Sequence, residues 1–212
     1  GINIRVSNIH FWRYVKQARE RGAKLLVIDP YVNDTARVAD DYIQVKPGGD
    51  CALALAVLKL LIEWEKIDYR FIADQTEGFE RLSNYLQNTG IEQFERECGV
   101  NREDMEMLAT LFASSPKTFI RVGVGLTRNS RGGMAVRGIC SLAAALGLLD
   151  GEDGRGVLLF SGAFSADDST LTFPELAQKQ RKIVNMIHLG QVLNSSIHKV
   201  RALIVYNANP VS

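Results

Sequence analysis

The sequence contains few cysteines, and none of them is spaced for metal binding. The three residues lie far apart in the chain, at Cys51, Cys98 and Cys140, and no C-x-x-C motif occurs. This spacing excludes an iron–sulfur cluster or a zinc ribbon formed by neighbouring cysteines of this chain. The sequence therefore predicts buried thiols in a reducing compartment.

The chain also lacks a strong net charge and a long apolar run. Its 25 Lys and Arg against 24 Asp and Glu leave a formal net charge of +1, so no overall field attracts nucleic acid. The longest apolar stretch, residues 52–62, contains Lys59 and is shorter than the roughly 20 residues that span a bilayer. With 46% hydrophobic residues among 212, the chain can bury a full core.

Hydrophobic periodicity predicts strands that alternate with helices. Apolar residues recur at helical spacing over residues 9–21, and the apolar segment at 23–30 is typical of a buried parallel strand that ends at Asp29 and Pro30. Further strands are predicted at 41–45, 118–122, 157–160 and 202–206, and further helices at 36–40, 51–66, 69–75, 79–86, 93–98, 102–114 (capped by Asn101), 134–146 and partly at 175–194. This alternation predicts an α/β fold with a mostly parallel sheet and helices on both faces.

Ligands of open α/β sheets bind beyond the carboxyl ends of the strands, where four loops of this sequence carry suitable groups. The first is Gly1-Ile2-Asn3, whose glycine allows a tight turn and whose amide can donate or accept a hydrogen bond. The second is Asp29-Pro30, an acid placed like the ribose-binding acid of a dinucleotide site. No G-x-G-x-x-G motif accompanies Asp29, which excludes an ordinary NAD site. The alternative to a ligand-binding role is that Asp29 has a structural role in the turn.

The third loop is Pro47-Gly48-Gly49-Asp50, which precedes a predicted helix. Its backbone N–H groups can bind an anion or the edge of a base, whereas a simple turn with Asp50 as the helix N-cap is the alternative. The fourth loop, residues 123–133, combines glycines with Arg128 and Arg131, a set that suits a phosphate ester unless the arginines are merely solvated. If these loops share one site, they must converge at one edge of the sheet.

No catalytic set accompanies the four loops. The sequence contains no assignable Ser/His/Asp or Cys/His arrangement, no Walker A lysine loop and no H-E-x-x-H motif. The loops therefore indicate a nucleotide-like ligand and leave the reaction open.

Seven motifs occur along the chain in a defined order. They are Gly1-Ile2-Asn3 (compare W-G-x-N), residues 19–30 (A-R-x-x-G-A-K with V-I-D-P), residues 46–54 (R-P-G-T-D-A-A-L-A), residues 76–80 (H-T-E-G-F-E), residues 99–116, the loop at 123–133 and the Asn-Pro element at 207–210. Each motif is weak alone, but together, in this order and spacing, they resemble the molybdopterin oxidoreductases of the dimethyl sulfoxide reductase superfamily. That family includes formate dehydrogenases and nitrate, thiosulfate and sulfoxide reductases.

The resemblance implies that the chain is a Rossmann-like segment that helps to hold a bis(molybdopterin guanine dinucleotide) cofactor with molybdenum or tungsten. Residues 1–212 would form this one cofactor-binding segment of a larger enzyme, and 201–212 would begin the next strand–loop element. Carried over motif by motif, the resemblance implies cofactor-binding roles for Gly1, Asn3, Ile28, Asp29, Pro30, Gly48, Gly49, Asp50, Val124, Gly125, Arg128 and Asn209.

Three positions depart from the family pattern. Tyr31 stands where many members have Arg, Gly49 replaces the usual Thr, and Arg128 replaces a frequent Gln. The first change removes a charge contact, and the second removes a hydroxyl group that could reach the cofactor.

The resemblance also implies that the groups performing the chemistry lie outside this chain. In the family, the residue that ligates molybdenum and any iron–sulfur cysteines lie upstream, and a further pterin-binding domain lies downstream. We therefore expect no catalytic or metal-binding residue here, the three cysteines included, and little activity from this segment alone. The start at Gly1 without an initiator Met leads us to expect a segment of a longer protein.

The expected partners are the remaining domains of the same polypeptide and an electron-transfer subunit, with no nucleic acid and no transmembrane segment. We expect a prokaryotic protein of the cytoplasm or the periplasm. Two alternatives stay open: a non-catalytic nucleotide-binding module, and the central domain of a thiamine-diphosphate enzyme, which has a similar strand–glycine loop–helix stretch around residues 122–146. The pair of motifs at 27–30 and 47–50 disfavours the thiamine-diphosphate enzyme.

Overall fold

The computed structural model describes residues 2–115, 117–150, 154–159, 176, 184, 188–197 and 200–205. The chain divides into two compact units, Gly1–Phe164 and Ser165–Ser212. The first unit contains, in chain order, α1 (Ile4–Ser7), α2 (Ile9–Glu20), β1 (Leu26–Asp29), β2 (Asp41–Gln44), α3 (Asp50–Glu63), α4 (Tyr69–Gln75), α5 (Phe79–Gln87), α6 (Ile91–Cys98), α7 (Arg102–Ser114), β3 (Phe119–Arg121), α8 (Gly132–Ala145) and β4 (Gly156–Leu158). In the described part of the second unit, α9 spans Leu189–Leu193.

The described strands pair in parallel. β1 lies beside β2, with Leu26 opposite Asp41, and β3 lies beside β4, with Phe119 opposite Gly156. Within the described residues these pairs form two separate two-stranded sheets. The chain passes from β3 to β4 through α8, the kind of crossover that parallel pairing requires. The predicted α/β class with parallel strands is confirmed.

Helix α3 forms the centre of the main hydrophobic core. Its apolar run buries Ala56, Val57, Leu58 and Leu61 completely, because helices α5, α6, α7 and α8 pack against it. Burying one leucine contributes about 1.5–3 kcal/mol relative to leaving it exposed. A helix that is apolar over most of its surface belongs inside such a core, and α3 thereby holds the loop before it in place. Neither α3 nor any other described helix is long and apolar enough to cross a membrane.

Two predicted helix starts have different outcomes. Asn101 caps α7, because its Oδ1 accepts a hydrogen bond of 2.8 Å from the backbone N–H of Asp104. The prediction of Asp50 as an N-cap is wrong, since α3 already begins at Asp50 and Gly49 holds the cap position. The helix starts one residue early because the Gly49 N–H donates to the Lys46 carbonyl (2.8 Å) and forms the turn there.

The loop predicted at 123–133 contains more regular structure than expected. Residues Val124–Arg128 form a 3-10 helix, and α8 begins at Gly132, before the predicted start at Met134. The glycines at the end of this loop therefore belong to the first turn of α8.

Two predicted elements near the end of the chain differ from the structure. Residues 201–205 form no strand, so the strand predicted at 202–206 is wrong over its described part. Ile204 is 91% exposed, and an apolar run forms a strand only where a neighbour accepts its backbone hydrogen bonds. The helix predicted at 175–194 is observed as α9, and most of the range lies outside the described residues.

Candidate functional site

Asp29, the last residue of β1, is engaged in the turn that follows the strand. The residue is only 5% exposed. One carboxylate oxygen accepts a hydrogen bond from the backbone N–H of Tyr31 (3.2 Å), and the other accepts one from Nδ2 of Asn33 (3.0 Å). Asp29 therefore has the turn-forming role that the sequence left open as an alternative.

The end of β1 is also held from the neighbouring strand β2. The Tyr42 hydroxyl donates to the Asp29 carbonyl (2.8 Å), and Nε2 of Gln44 donates to the Pro30 carbonyl (2.9 Å). Burial raises the pKa of Tyr42, and the charge of Asp29 raises it further, so the hydroxyl keeps the proton that it donates. Ile28 packs against the main core. These contacts hold the predicted ligand residues Ile28, Asp29 and Pro30 in one conformation.

Two buried polar residues connect this loop to the first predicted loop. Asn33 is 3% exposed and Thr35 is 0% exposed. Oδ1 of Asn33 accepts from the backbone N–H groups of Thr35 (2.9 Å) and Ala36 (3.0 Å), and the Thr35 hydroxyl donates to Oδ1 of Asn3 (3.0 Å). Neither Asn33 nor Thr35 was among the predicted site residues, although Asn and Thr just after an Asp-Pro pair are typical of turns stabilised by side chains.

In the third loop, Gly49 lies tightly against the C-terminus of α6. A Cβ atom at Gly49 would lie 2.6 Å from Cα of Cys98 and 3.1 Å from the carbonyl oxygen of Lys46. The Lys46 N–H donates to the Cys98 carbonyl (2.7 Å), and its Nζ donates to the Arg96 carbonyl (3.1 Å). Internal packing therefore requires glycine at this position, where the family has a threonine.

Asp50 begins α3 in a half-buried position at the same edge. Burial raises the pKa of its carboxyl group, and the negative charge of Asp29 raises it as well. No other described residue donates a hydrogen bond to this carboxyl group. Of the two acids, Asp50 is therefore the one that can still accept hydrogen bonds from a ligand.

The fourth loop presents its three predicted ligand residues to solvent. Val124, Gly125 and Arg128 are exposed, while Leu126 between them is buried in a second small core beside Ala135. A buried leucine anchors the turn, so the exposed glycine backbone and guanidinium group are held at a stable surface. Such groups can approach an anionic ligand.

The third and fourth loops are neighbours, as a shared site requires. Gly48 has a positive φ of 82°, and a Cβ atom there would lie 3.5 Å from Oδ1 of Asn129. Arg131 reaches the C-terminal part of α6, where its guanidinium nitrogen lies 3.9 Å from the carboxylate of Glu97. Asp29 pairs with Gln44 at the ends of β1 and β2, and the third loop follows shortly after Gln44 in the chain, so the second loop also lies close to this group.

The described site residues form two groups, each of which joins two loops. Hydrogen bonds join the first and second loops through Thr35, whereas packing joins the third and fourth loops at Gly48. Gly1 and Asn209 lie outside the described residues, so their cofactor-binding roles stay predictions.

The cysteines lie in surroundings that favour the protonated thiol. Burial raises the pKa values of Cys51, Cys98 and Cys140, whereas a metal ligand must be a thiolate. Within the part of the chain that the structure describes, no group of three His, Cys, Asp or Glu side chains is arranged to hold a metal ion.

Comparison with known proteins gives matches over the whole chain. The family model for molybdopterin oxidoreductase matches residues 1–211. Probable oxidoreductase YyaE of Bacillus subtilis is 35% identical over 216 residues, which cover 100% of this chain and 32% of that protein. Formate dehydrogenase H of Escherichia coli is 35% identical over 144 residues, which cover 68% of this chain and 20% of that protein. The chain thus spans a third or less of the length of these relatives.

The fold is similar to that of a solved enzyme structure. Acetylene hydratase from Pelobacter acetylenicus matches with a TM-score of 0.63 and 26% identity, covering 68% of this chain and 20% of that one. The family match over almost every residue confirms the resemblance inferred from the ordered motifs, and it excludes the thiamine-diphosphate alternative. The chain belongs to the molybdopterin oxidoreductase family.

Proposed function

We propose that this chain binds a guanine dinucleotide arm of a molybdopterin guanine dinucleotide cofactor within a larger molybdenum- or tungsten-dependent oxidoreductase. The observation that carries the proposal is the packing, at one edge of the molecule, of the loop before Asp50 and α3 against the loop at 123–133, where a Cβ atom at Gly48 would lie 3.5 Å from Oδ1 of Asn129. This edge offers an acid, backbone donors and guanidinium groups within one small region. These groups match the needs of a nucleoside diphosphate.

Asp50 fits the hydrogen-bond donors of a guanosine. Its carboxylate can accept from the N1–H and amino groups of guanine or from ribose hydroxyls. Burial raises the pKa of Asp50 in the ligand-free chain, and donors that bind the carboxylate oppose this effect by stabilising the charged form. The half-buried acid is therefore suited to a ligand that brings its own N–H or O–H groups.

The phosphate groups fit the N-terminus of α3 and the arginines of the fourth loop. The first-turn N–H groups of this 14-residue helix have no partners within the helix and carry its positive dipole end. Arg128 is exposed and the Arg131 side chain is 70% exposed, so both guanidinium groups can donate paired hydrogen bonds to phosphate oxygens. The exposed backbone at Gly125 allows a ligand to approach closely.

The first two loops complete the site mainly through their shape. Asp29 and Asn33 hold the backbone after β1, so Ile28, Pro30 and the neighbouring peptide groups offer a preorganised edge to the cofactor. Tyr31 is 63% exposed and presents an aromatic ring where many family members have a guanidinium group.

When bound, the cofactor supplies two-electron chemistry at its metal, and the protein supplies binding and orientation. We assign no catalytic role to a residue of this chain. The protein ligand of the metal, any iron–sulfur cluster and the second pterin-binding domain would lie in other parts of a polypeptide as long as YyaE, of which this chain covers 32%. Those domains and an electron-transfer subunit are the partners we propose, and the segment alone would be inactive.

Oxidation–reduction is the reaction class that we propose for the whole enzyme, because one relative is a formate dehydrogenase. Hydration is the competing class, since the protein of similar structure is a hydratase. Turnover of formate and of acetylene with and without an artificial electron acceptor distinguishes the two, because an oxidoreductase reduces the acceptor as it consumes substrate, whereas a hydratase converts its substrate without an acceptor.

Chemical analysis of the purified whole protein tests the proposal. We expect molybdenum or tungsten in elemental analysis, a fluorescent pterin after oxidation, and about two GMP per metal atom after acid hydrolysis, because each cofactor arm ends in one guanine nucleotide. Metal and pterin without GMP would contradict the dinucleotide form. Protein that carries neither metal nor pterin would favour a non-catalytic nucleotide-binding module instead.

A further inference from the structure

Among the described residues, the Asn3 side chain has partners for its oxygen and for one of its two N–H groups, which leaves one N–H for a ligand. Its backbone carbonyl accepts from the N–H groups of Val6 (3.2 Å) and Ser7 (2.8 Å) in the turn that starts α1. Its side-chain oxygen Oδ1 accepts from the Thr35 hydroxyl (3.0 Å). Among the described residues, Nδ2 of Asn3 donates one long hydrogen bond, to the Asp34 carboxylate (3.4 Å), so its second N–H is the donor that remains for a ligand.

Two neighbours determine the orientation of this amide. The Thr35 oxygen accepts from the backbone N–H of Arg5 (3.1 Å), and its single proton is donated to Oδ1 of Asn3. On the other side, one N–H of Asn3 Nδ2 donates to the Asp34 carboxylate (3.4 Å). A carboxylate repels an amide oxygen and attracts an amide N–H, so the nitrogen occupies that side.

Thr35 is itself held in one position by buried contacts. The residue is 0% exposed, and its backbone N–H donates to Oδ1 of Asn33 (2.9 Å). Asn33 in turn donates to the Asp29 carboxylate at the end of β1 (3.0 Å). A continuous series of hydrogen bonds therefore joins the strand end to Asn3, and Thr35 is its last member.

We infer that Thr35 is a positioning residue that holds Asn3 as a hydrogen-bond donor toward an acceptor atom of the bound cofactor. The inference rests on the proposed function and adds that, in this contact, the protein donates the hydrogen bond and the cofactor accepts it. The Asp34 carboxylate beside Nδ2 disfavours an anionic group. The acceptor is therefore a neutral carbonyl oxygen or ring nitrogen of the cofactor and not a phosphate oxygen.

Replacement of Thr35 tests this role in the purified whole protein. Thr35→Val keeps the size of the side chain but frees the Asn3 amide to rotate. We expect the variant to release its pterin about tenfold faster than the wild type, which corresponds to the loss of about one hydrogen bond. Release is followed by pterin fluorescence after transfer to cofactor-free buffer. Thr35→Ser keeps the hydroxyl and should release the pterin at the wild-type rate.

A matched control excludes a general effect of placing valine at a buried threonine. Thr89 is 7% exposed, and its hydroxyl donates to the Tyr85 carbonyl (2.7 Å) in a different part of the chain. Thr89→Val should release the pterin at the wild-type rate. Equally fast release from the Thr35 and Thr89 variants would overturn the inference, because the effect would then be structural.

A double variant shows whether Thr35 acts through Asn3. If it does, Thr35→Val combined with Asn3→Ala releases the pterin no faster than Asn3→Ala alone. The inference would be overturned if the two substitutions multiplied each other's effect on the release rate, or if Thr35→Val released the pterin at the wild-type rate. The proposed function would stand in either case. Wild-type protein that contains no pterin would contradict the proposed function and the inference together.

Discussion

Asp29 and Asp50 lie at one edge of the molecule, but their surroundings differ. Asp29 is 5% exposed and accepts two hydrogen bonds within its own loop. Asp50 is half-buried at the start of α3 and accepts none from another described residue. The same side-chain type therefore shapes the loop at one position and remains available to a ligand at the other.

Substitution of the two acids by asparagine should separate these roles. Asp50→Asn is expected to weaken the binding of GDP to the cofactor-free protein about tenfold, because a charged acceptor is lost. It should leave the free energy of unfolding nearly unchanged. Asp29→Asn should lower that free energy by about 1–3 kcal/mol, because the new amide cannot accept both existing hydrogen bonds. Calorimetric titration and urea unfolding measure the two effects, and wild-type GDP affinity in Asp50→Asn would refute the assignment.

Individual site residues were predictable from the sequence only where their position in the pattern was informative. The sequence singles out Asp29 and Asp50 as candidates because one ends an apolar run and the other precedes a predicted helix. Their different roles depend on Asn33, whose hydrogen bond engages Asp29. Neither the burial of Asn33 and Thr35 nor the bond from Thr35 to Asn3 follows from local sequence, because residues 3 and 35 meet only in the folded chain.

At the scale of elements, the contact between α3 and α6 determines which residue can stand at position 49. The φ angle of Gly49 is −84°, which any residue adopts, so backbone strain does not require the glycine. The requirement is steric, because a Cβ atom would lie 2.6 Å from Cα of Cys98. A hydroxyl-bearing side chain of the family type therefore cannot occupy this position without a shift of α6.

Alanine substitutions at two glycines should show this steric effect. Gly49→Ala is expected to lower the free energy of unfolding by about 1–3 kcal/mol, the usual cost of overpacking. Gly133→Ala is the matched control, because a Cβ atom at Gly133 meets nothing within 4 Å and alanine favours a helix by about 0.5–1 kcal/mol. Urea unfolding of both variants measures the difference. Equal free energies of unfolding for the two variants would show that α6 shifts at little energetic cost and would contradict the steric requirement.

Helix α2 is attached to the β1–β2 pair through a charged contact. None of its residues is buried. The Arg19 guanidinium donates to the Val38 carbonyl (2.7 Å) and to the Asp40 carboxylate (2.8 Å), which also accepts from the Leu25 N–H (2.7 Å). The Leu25 N–H and Arg19 together hold the pKa of Asp40 below its usual range. The attachment therefore depends on the charged form of Asp40.

Low pH should weaken the attachment of α2 to the β1–β2 pair. The pKa of Asp40 is lowered in the folded state. Its contribution to the free energy of unfolding is therefore fully present above the unfolded-state pKa of about 3.9, and it is lost as the pH falls through the folded-state pKa. We expect Asp40→Asn to lower the Tm near neutral pH and to match the wild type progressively as the pH falls below about 4. Circular dichroism melts with Glu20→Gln as a charge control test this, and a Tm difference independent of pH would contradict it.

Elements were predictable to the extent that their stability is local. The apolar run of α3 and the Asn101 cap of α7 predicted helices that the structure confirms. The predicted strand at 202–206 failed over its described part, because strand formation depends on a partner that the local sequence does not encode. The division of the described strands into two pairs was unpredictable for the same reason.

At the scale of the whole molecule, the chain corresponds to about a third of the length of one relative. The chain matches its family over residues 1–211 and covers 32% of YyaE. Its described residues bring an acid, a helix N-terminus and exposed arginines to one edge. These groups suit the cofactor-binding role proposed above, in which another part of the protein contributes the metal ligand.

Photolabelling with 8-azido-GDP tests this central claim most directly. Cofactor-free protein is irradiated with the probe, digested and examined by mass spectrometry, with and without excess GDP. The account predicts labelled peptides from residues 46–51 or 123–133, the two loops that meet at Gly48 and Asn129, and loss of the label when GDP competes. Labelling of other surfaces only, or labelling that GDP does not reduce, would contradict the account.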